Sequence, residues 1–549
     1  MSTDTVAVLL PELVVVLTAT LIYVAGAFLP GKKFWSGVAA VGLAVAAAVL
    51  SGQTSRFFHN ADGLPLLSAA VPGPLAVDQF ALYVRWLALV VGGVFILMTS
   101  RPENESLVPE FVGTVLMAVA GVMLVGGARE LTMLFLGLEL ISIPTYVLLF
   151  IGRRDGSSAE AATKYFFLSI LSSGITLYGF SFLYGVGGST RLDVVQAALE
   201  KSLGGLEGGM SPLYAQLALV LVFAGLGFKI AAVPFHFYAP DVYQGTTHAN
   251  AGILAVLPKI AGLAGLIRIA SIALPGTDET GVRVAMILAL ITMTLGNVVA
   301  LWQDNIRRML AYSSIAHAGY MLVALAVDYA ARKAHLTEVD GLGAALFYVA
   351  VYSLATAGSF AGFTYLSSRG KPIETRDDLA GVARSQPLAA LAIAVLMFSL
   401  TGLPPLAGFW GKFALFSGAV NVGLSHAPGL EQLGSWFIVL AIVGVLNAAV
   451  SAAYYLRIIG VMYFRDPQGA PVAGGAVAGA GGARAALLVC TVLTLWVGLA
   501  PSALSQRSNS AALSARSLPG TVMTAPAAAE TKHAAQSAPA AMQQAAVSR

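Results

Sequence analysis

Apolar stretches of about twenty residues recur almost without interruption from Val6 to Leu504. A helix needs about 20 such residues to cross the hydrocarbon core of a bilayer. In that solvent every backbone N–H and C=O must be satisfied within the protein, which favours helices. The sequence therefore predicts an all-α polytopic membrane protein. Spans fall near 6–29, 34–51, 77–99, 109–128, 130–152 and 158–185. A long proline-interrupted segment, 213–245, follows, then 249–274, 282–302, 309–327 and 341–366. A second interrupted segment, 386–424, precedes 434–463 and 483–504, for about fourteen passages in all. Composition agrees: 57% of the 549 residues are hydrophobic and 11% charged, against about 25% charged in soluble domains.

Several function classes are excluded. The one cysteine, Cys490, rules out a disulfide framework or a cysteine-ligated iron–sulfur cluster in this chain. A net charge of +4, carried in loops, gives no sign of nucleic-acid binding. The first apolar run carries Glu12 and follows Asp4, unlike the basic start of a secretory signal, so it is read as a retained helix. Residues 467–482 (PQGAPVAGGAVAGAGG) read as a Gly/Ala linker, because no strand precedes the glycines to make a nucleotide cradle. Residues 505–549, rich in Ala, Ser and Gln, read as a disordered tail.

Loops after odd-numbered helices hold most of the basic residues, among them Lys32, Lys33, Arg153, Arg154, Arg307, Arg308, Arg376, Arg384 and Arg465. Even-numbered loops hold fewer. The positive-inside rule then places the odd loops in the cytoplasm and both termini outside, in the periplasm.

Five ionisable residues lie within the apolar segments: Glu139, Lys164, Lys229, Lys259 and Lys412. A charge at the bilayer centre costs several kcal/mol, about 3 on insertion scales, so such residues are expected to face a bundle interior and to carry protons or ions. Both proline breaks adjoin a lysine: Lys229 precedes Pro234 and Pro240, and Lys412 follows Pro404 and Pro405. Paired broken helices in two halves of a chain point to a transport site. Lys164 can pair with Glu160 one turn away and is a candidate partner for Glu139 on the preceding helix. A second lysine, Lys259, close to Lys229 suits a relay. His236, beside the first break, is a weaker relay candidate that could bond freed carbonyls; His248 and His317 are weaker still, and Asp241 reads as a loop or cap residue. No histidine pair has zinc-ligand spacing, and no Ser–His–Asp set or phosphate loop stands out.

The motifs LFLGLELISIPTYVL, EAATKYFFL, GFKIAAVPFHFYAPDVYQG, LPKIAG, RRMLAYSSIAHAGYML and GLPPLAGFWGKF resemble, in order, the subunit N family of bacterial NADH–quinone oxidoreductase, respiratory complex I. The wider group is the antiporter-like membrane subunits, shared with Mrp-type cation/proton antiporters; an Mrp-type subunit is the alternative reading. PDVYQG and LELISIPTY look like N rather than its sister M, and the polar tail cannot form the long lateral helix that ends the sister L. The resemblance implies two inverted five-helix repeats. It divides the chain into helices 1–3 (1–108), repeats at 109–274 and 275–466, linker and helix 14 (467–504), and tail (505–549). It assigns Glu139, Lys164, Lys229, Lys259 and Lys412 to a proton relay running from a cytoplasmic half-channel to a way out near Lys412. It implies no cofactor in this chain, with FMN, iron–sulfur clusters and the quinone site in partner subunits. The implied partners are subunit M on one side and the small membrane subunits J and K on the other. One departure is TTHAN (246–250), where the family continues APT or similar.

Overall fold

The structure is a computed structural model that describes residues 3–29, 34–58, 73–98, 107–153, 155–203, 212–272, 277–367, 373–466 and 480–516. Helices α1 (Thr3–Phe28), α2 (Phe34–Phe58), α3 (Gln79–Met98), α4 (Val108–Gly127), α5 (Leu131–Gly152) and α6 (Gly156–Gly187) come first. A short amphipathic helix, α7 (Leu192–Leu203), leads to α8 (Pro212–Ile230), the seven-residue α9 (Tyr238–Gln244) and α10 (His248–Ile272). Then follow α11 (Asp278–Ala300), α12 (Ile306–Lys333), α13 (Gly341–Leu366), the one-turn α14 (Val382–Ser385), α15 (Pro387–Thr401) and α16 (Ala407–Leu424). The last are α17 (Gly434–Phe464), α18 (Gly481–Leu499) and α19 (Pro501–Arg516).

Among the described residues, 13 helices are long and apolar enough to cross a membrane. The broken pair α15–α16 makes one further passage, which matches the count expected from sequence. Local chemistry sets many boundaries. Asp155, Asn305 and Asp340 cap α6, α12 and α13 by accepting the N–H of Ser158, Arg308 and Gly343. Gly402, at φ 93°, ends α15 in the left-handed conformation that glycine adopts without a Cβ clash.

The loops sort onto two ends. At one end Arg153 and Arg307 meet Glu374, Arg308 meets Asp241, and Arg465 meets Asp377. At the other, Arg268 meets Asp78, Arg129 meets Asp193, and Arg516 meets Asp328 and Asp340. Among the described residues, the first end collects Arg153, Arg307, Arg308, Arg376, Arg384 and Arg465 from the odd-numbered loops. α10 and α13 are buried along their whole apolar length, and α12 nearly so. α1, α2 and α17 form part of the rim and expose Leu17, Leu21, Val41 and Leu446.

Two expectations change. Residues 505–516 are not tail: they continue α19, which packs along α3 and α13 and buries Ser508, Ala511, Ala512 and Ala515. Polar composition hid this helix, because it lies on other helices rather than in lipid. The remaining tail, 517–549, and the linker residues 467–479 lie outside the described residues; Gly481 and Gly482 already belong to α18.

Candidate functional site

The first break lies between α8 and α9. The helical bonds of α8 run out at Ile230, and Ala231 takes a left-handed φ of 59°. The Phe228 carbonyl accepts the Ala231 N–H and the Tyr238 hydroxyl (2.9 Å), and Val233 N–H reaches Thr292 Oγ1 on α11. Tyr238 thus fills the role expected of His236. His236 itself is half-buried, with Nδ1 enclosed and no partner among the described residues.

Lys229 sits in the last turn of α8, 4% exposed. Its ammonium donates to Ser142 Oγ on α5 (2.6 Å) and Ser169 Oγ on α6 (3.1 Å). Glu139 lies one turn before Ser142 and accepts from Ser173 Oγ at 2.5 Å, one turn after Ser169. Carboxylate and amine are therefore each held by serine hydroxyls on adjacent turns, within electrostatic range of each other but with no hydrogen bond joining the two rungs among the described residues. Glu139 does not face the centre of the bundle as expected. It is half-buried on a side of α5 that also exposes Leu136 and Ile143.

Lys164 is not the partner of Glu139. Its amine pairs with Glu160 (2.6 Å), as the spacing predicts, and with Asp241 (3.0 Å) on α9. Asp241 also takes Arg308 (2.6 Å) from the start of α12. Glu160, Lys164 and Asp241 rim an open polar cleft of about 290 Å³, lined also by Arg153, Ser157, Arg307 and Glu374. Asp241 is therefore more than a cap: it ties α9 to α6 and α12.

Lys259 follows Pro258 on α10 and is 1% exposed, with no hydrogen-bond partner among the described residues. A buried ammonium without partners is costly, so this amine needs either water or loss of its proton. His317 on α12 lies within electrostatic range of both Lys259 and Lys412. Its ring nitrogens meet the hydroxyls of Tyr348 (2.6 Å) and Tyr455 (3.1 Å).

The second break is held by its own lysine. Lys412 Nζ donates to the carbonyl oxygens of Leu400 (3.0 Å) and Thr401 (2.8 Å), the free end of α15, and sits 5.0 Å from the Tyr320 ring centre. A cavity with room for about one water joins Lys412, His317, Tyr348, Tyr352 and Ser399. Sequence reading underweighted His317. The available signal was the stripe Ser313, Ser314, His317 and Tyr320, which repeats at helical spacing inside an apolar helix.

TTHAN also has a place. Asn250 donates to the Leu148 carbonyl near the end of α5, and His248 Nε2 meets the Ile373 carbonyl (2.7 Å). The departure staples α10 to α5 and to the loop that carries Glu374.

A sequence profile of the family described as "NADH:quinone oxidoreductase/Mrp antiporter, TM" matches residues 128–438. The NADH-quinone oxidoreductase subunit N of Trichlorobacter lovleyi is 37% identical over 84% of this chain and 88% of its own. That of Azorhizobium caulinodans is 36% identical over 92% and 97%. The chain belongs to the NADH-quinone oxidoreductase subunit N family. Among solved structures, a chain of respiratory complex I from Thermus thermophilus with bound aureothin superposes at TM-score 0.71 with 32% identity, covering 91% of this chain and 99% of that one. A chain of the Mrp complex from Dietzia sp. superposes at 0.75 but is 21% identical, which shows a shared fold only.

Proposed function

We propose that this chain is a proton-translocating membrane-arm subunit of NADH–quinone oxidoreductase. Quinone reduction in partner subunits drives proton transfer along its buried charges. The observation that carries this reading is the placement of Lys229, Lys259, His317 and Lys412. All four are sealed from lipid, two of them at helix breaks, with hydroxyls around each break. Proton carriers need sites that are costly to charge but not forbidden, and amines bridged by hydroxyls or water meet that need. Glu139, half-buried on α5 one turn from the Ser142 that holds Lys229 and within its electrostatic range, is where a neighbouring subunit's charge acts on the relay. Lys164 belongs to the cleft and serves the uptake side. In this reading FMN, iron–sulfur clusters and quinone are held by partner subunits. Subunit M adjoins on one side and J and K on the other. The chain sits in the bacterial inner membrane with its cleft in the cytoplasm and both termini in the periplasm.

The test is NADH-driven pumping by the assembled complex in inside-out vesicles. Lys229→Ala and Lys259→Ala should each abolish or strongly reduce pumping while flavin and iron–sulfur signals still copurify. Normal pumping in both overturns the relay. A chain that purifies without those signals belongs instead to an antiporter of the Mrp type.

A further inference from the structure

A file of hydroxyls that the relay above leaves unused starts on α9, the helix that also lines the charged cleft, and runs toward the cavity of Lys412. α9 carries Asp241 and Gln244 at the rim of the cleft. Tyr243, between them in sequence, turns into the bundle instead. Its hydroxyl lies 3.4 Å from Ser314 Oγ on α12. Ser314 Oγ lies 3.0 Å from the Tyr352 hydroxyl on α13. Tyr352 in turn lines the water-sized cavity that holds His317 and Lys412. All three hydroxyl residues are 2% exposed, so lipid and bulk water are shut out along the file.

A hydroxyl both donates and accepts. Each oxygen in such a file takes a proton on one side and releases its own on the other. Only O–H bonds form and break, no charge stays behind, and rotation of each hydroxyl resets the file. Tyr352 has the alternative acceptor that such a rotation requires. Its single proton has two acceptors, Ser314 Oγ at 3.0 Å and the Ala255 carbonyl at 3.2 Å, one turn before Lys259. The Tyr243 contact is long for an O–H···O bond, which is usually about 2.7–2.8 Å. It is also the one join between the seven-residue α9 and the fixed bundle in this file. A small shift of α9, or one water, closes it.

We propose that Tyr243, Ser314 and Tyr352 form the uptake route from the charged cleft to the cavity shared by His317 and Lys412. Ser314 is the relay that both tyrosines require. The proposal rests on the proton-translocating reading and adds its path. It makes Asp241, held between Lys164 and Arg308, the anchor that sets how α9 presents Tyr243.

The test uses the assembled complex in inside-out vesicles and compares initial rates of NADH-driven proton pumping per amount of complex. Ser314→Ala should lower pumping by about ten-fold or more, the scale of losing a positioned proton-transfer group. Ser314→Thr, which restores a hydroxyl, should recover most of it. Tyr352→Phe keeps the ring and should behave like Ser314→Ala if the serine variant assembles poorly. The ratio of pumping in H2O to that in D2O should rise in both variants, because the damaged hop becomes limiting. A merely structural role would lower the amount of complex without changing that ratio. Wild-type pumping in Ser314→Ala and Tyr352→Phe, with pumping lost in Lys259→Ala, overturns this route and leaves the proposed function standing. Wild-type pumping in Lys259→Ala as well overturns both.

Discussion

Replacing Lys412 with methionine separates what this residue holds from what it carries. In the native chain its amine donates to two carbonyls, Leu400 and Thr401, at the open end of α15. Methionine fills similar space but donates nothing. Each buried carbonyl left without a donor costs about 1–3 kcal/mol, so the break loses about 2–6 kcal/mol of local stability. Since 1.4 kcal/mol is ten-fold, local opening should become at least about 30-fold more frequent. Hydrogen exchange read by mass spectrometry on the segment 398–410 of the intact complex measures this, with α10 as an internal reference. Lys412→Arg keeps donors at the same place but stays protonated at any working pH. It should hold exchange near the native rate while pumping stops. Unchanged exchange in Lys412→Met would refute the idea that the amine secures the break. Continued pumping in Lys412→Arg would refute its role as a carrier.

Three further outcomes follow from the geometry. Glu139→Gln keeps an acceptor for Ser173 but removes the charge; pumping should fall with assembly intact, and an unchanged rate would leave the carboxylate only its hydrogen bond to explain it. Arg268→Leu strands the buried Asp78 and the Gly126 carbonyl and should destabilise by about 3–5 kcal/mol, read as a lower unfolding midpoint. Asp155→Ala removes the cap of α6, worth about 0.5–2 kcal/mol. Burial tends to raise the Asp155 carboxyl, but the Ser158 N–H, the Ser157 hydroxyl and Arg153 outweigh it and hold the group below its usual 3.8. Its contribution is therefore present above about pH 4 and fades as pH falls through the folded value. The midpoint gap between wild type and variant should shrink between pH 6 and pH 3.

Much of this architecture is written in the sequence because membrane solvation is strict. Apolar length marked the helices, and proline beside a lone lysine marked both breaks. What stayed hidden was contact between distant segments. Nothing local tells Lys164 that Asp241, 77 residues on, will reach it before Glu139 does. Nothing local sets Tyr238 rather than His236 on the Phe228 carbonyl. His317 was visible only as one member of a polar stripe, and its weight comes from Tyr348 and Tyr455 on two other helices. α19 broke the rule that had served elsewhere, since a helix resting on protein has no need of an apolar circumference.

The clasp at Thr401 has an arithmetic of its own. A protonated amine offers three N–H groups and a neutral one offers two. Two is the number that the Leu400 and Thr401 carbonyls take up. In the proposed relay the departing proton is the surplus one, and the residue lines the same cavity as His317. On that reading Lys412 discharges and reloads while its grip on the helix end stays whole, and the second break turns over without rearrangement.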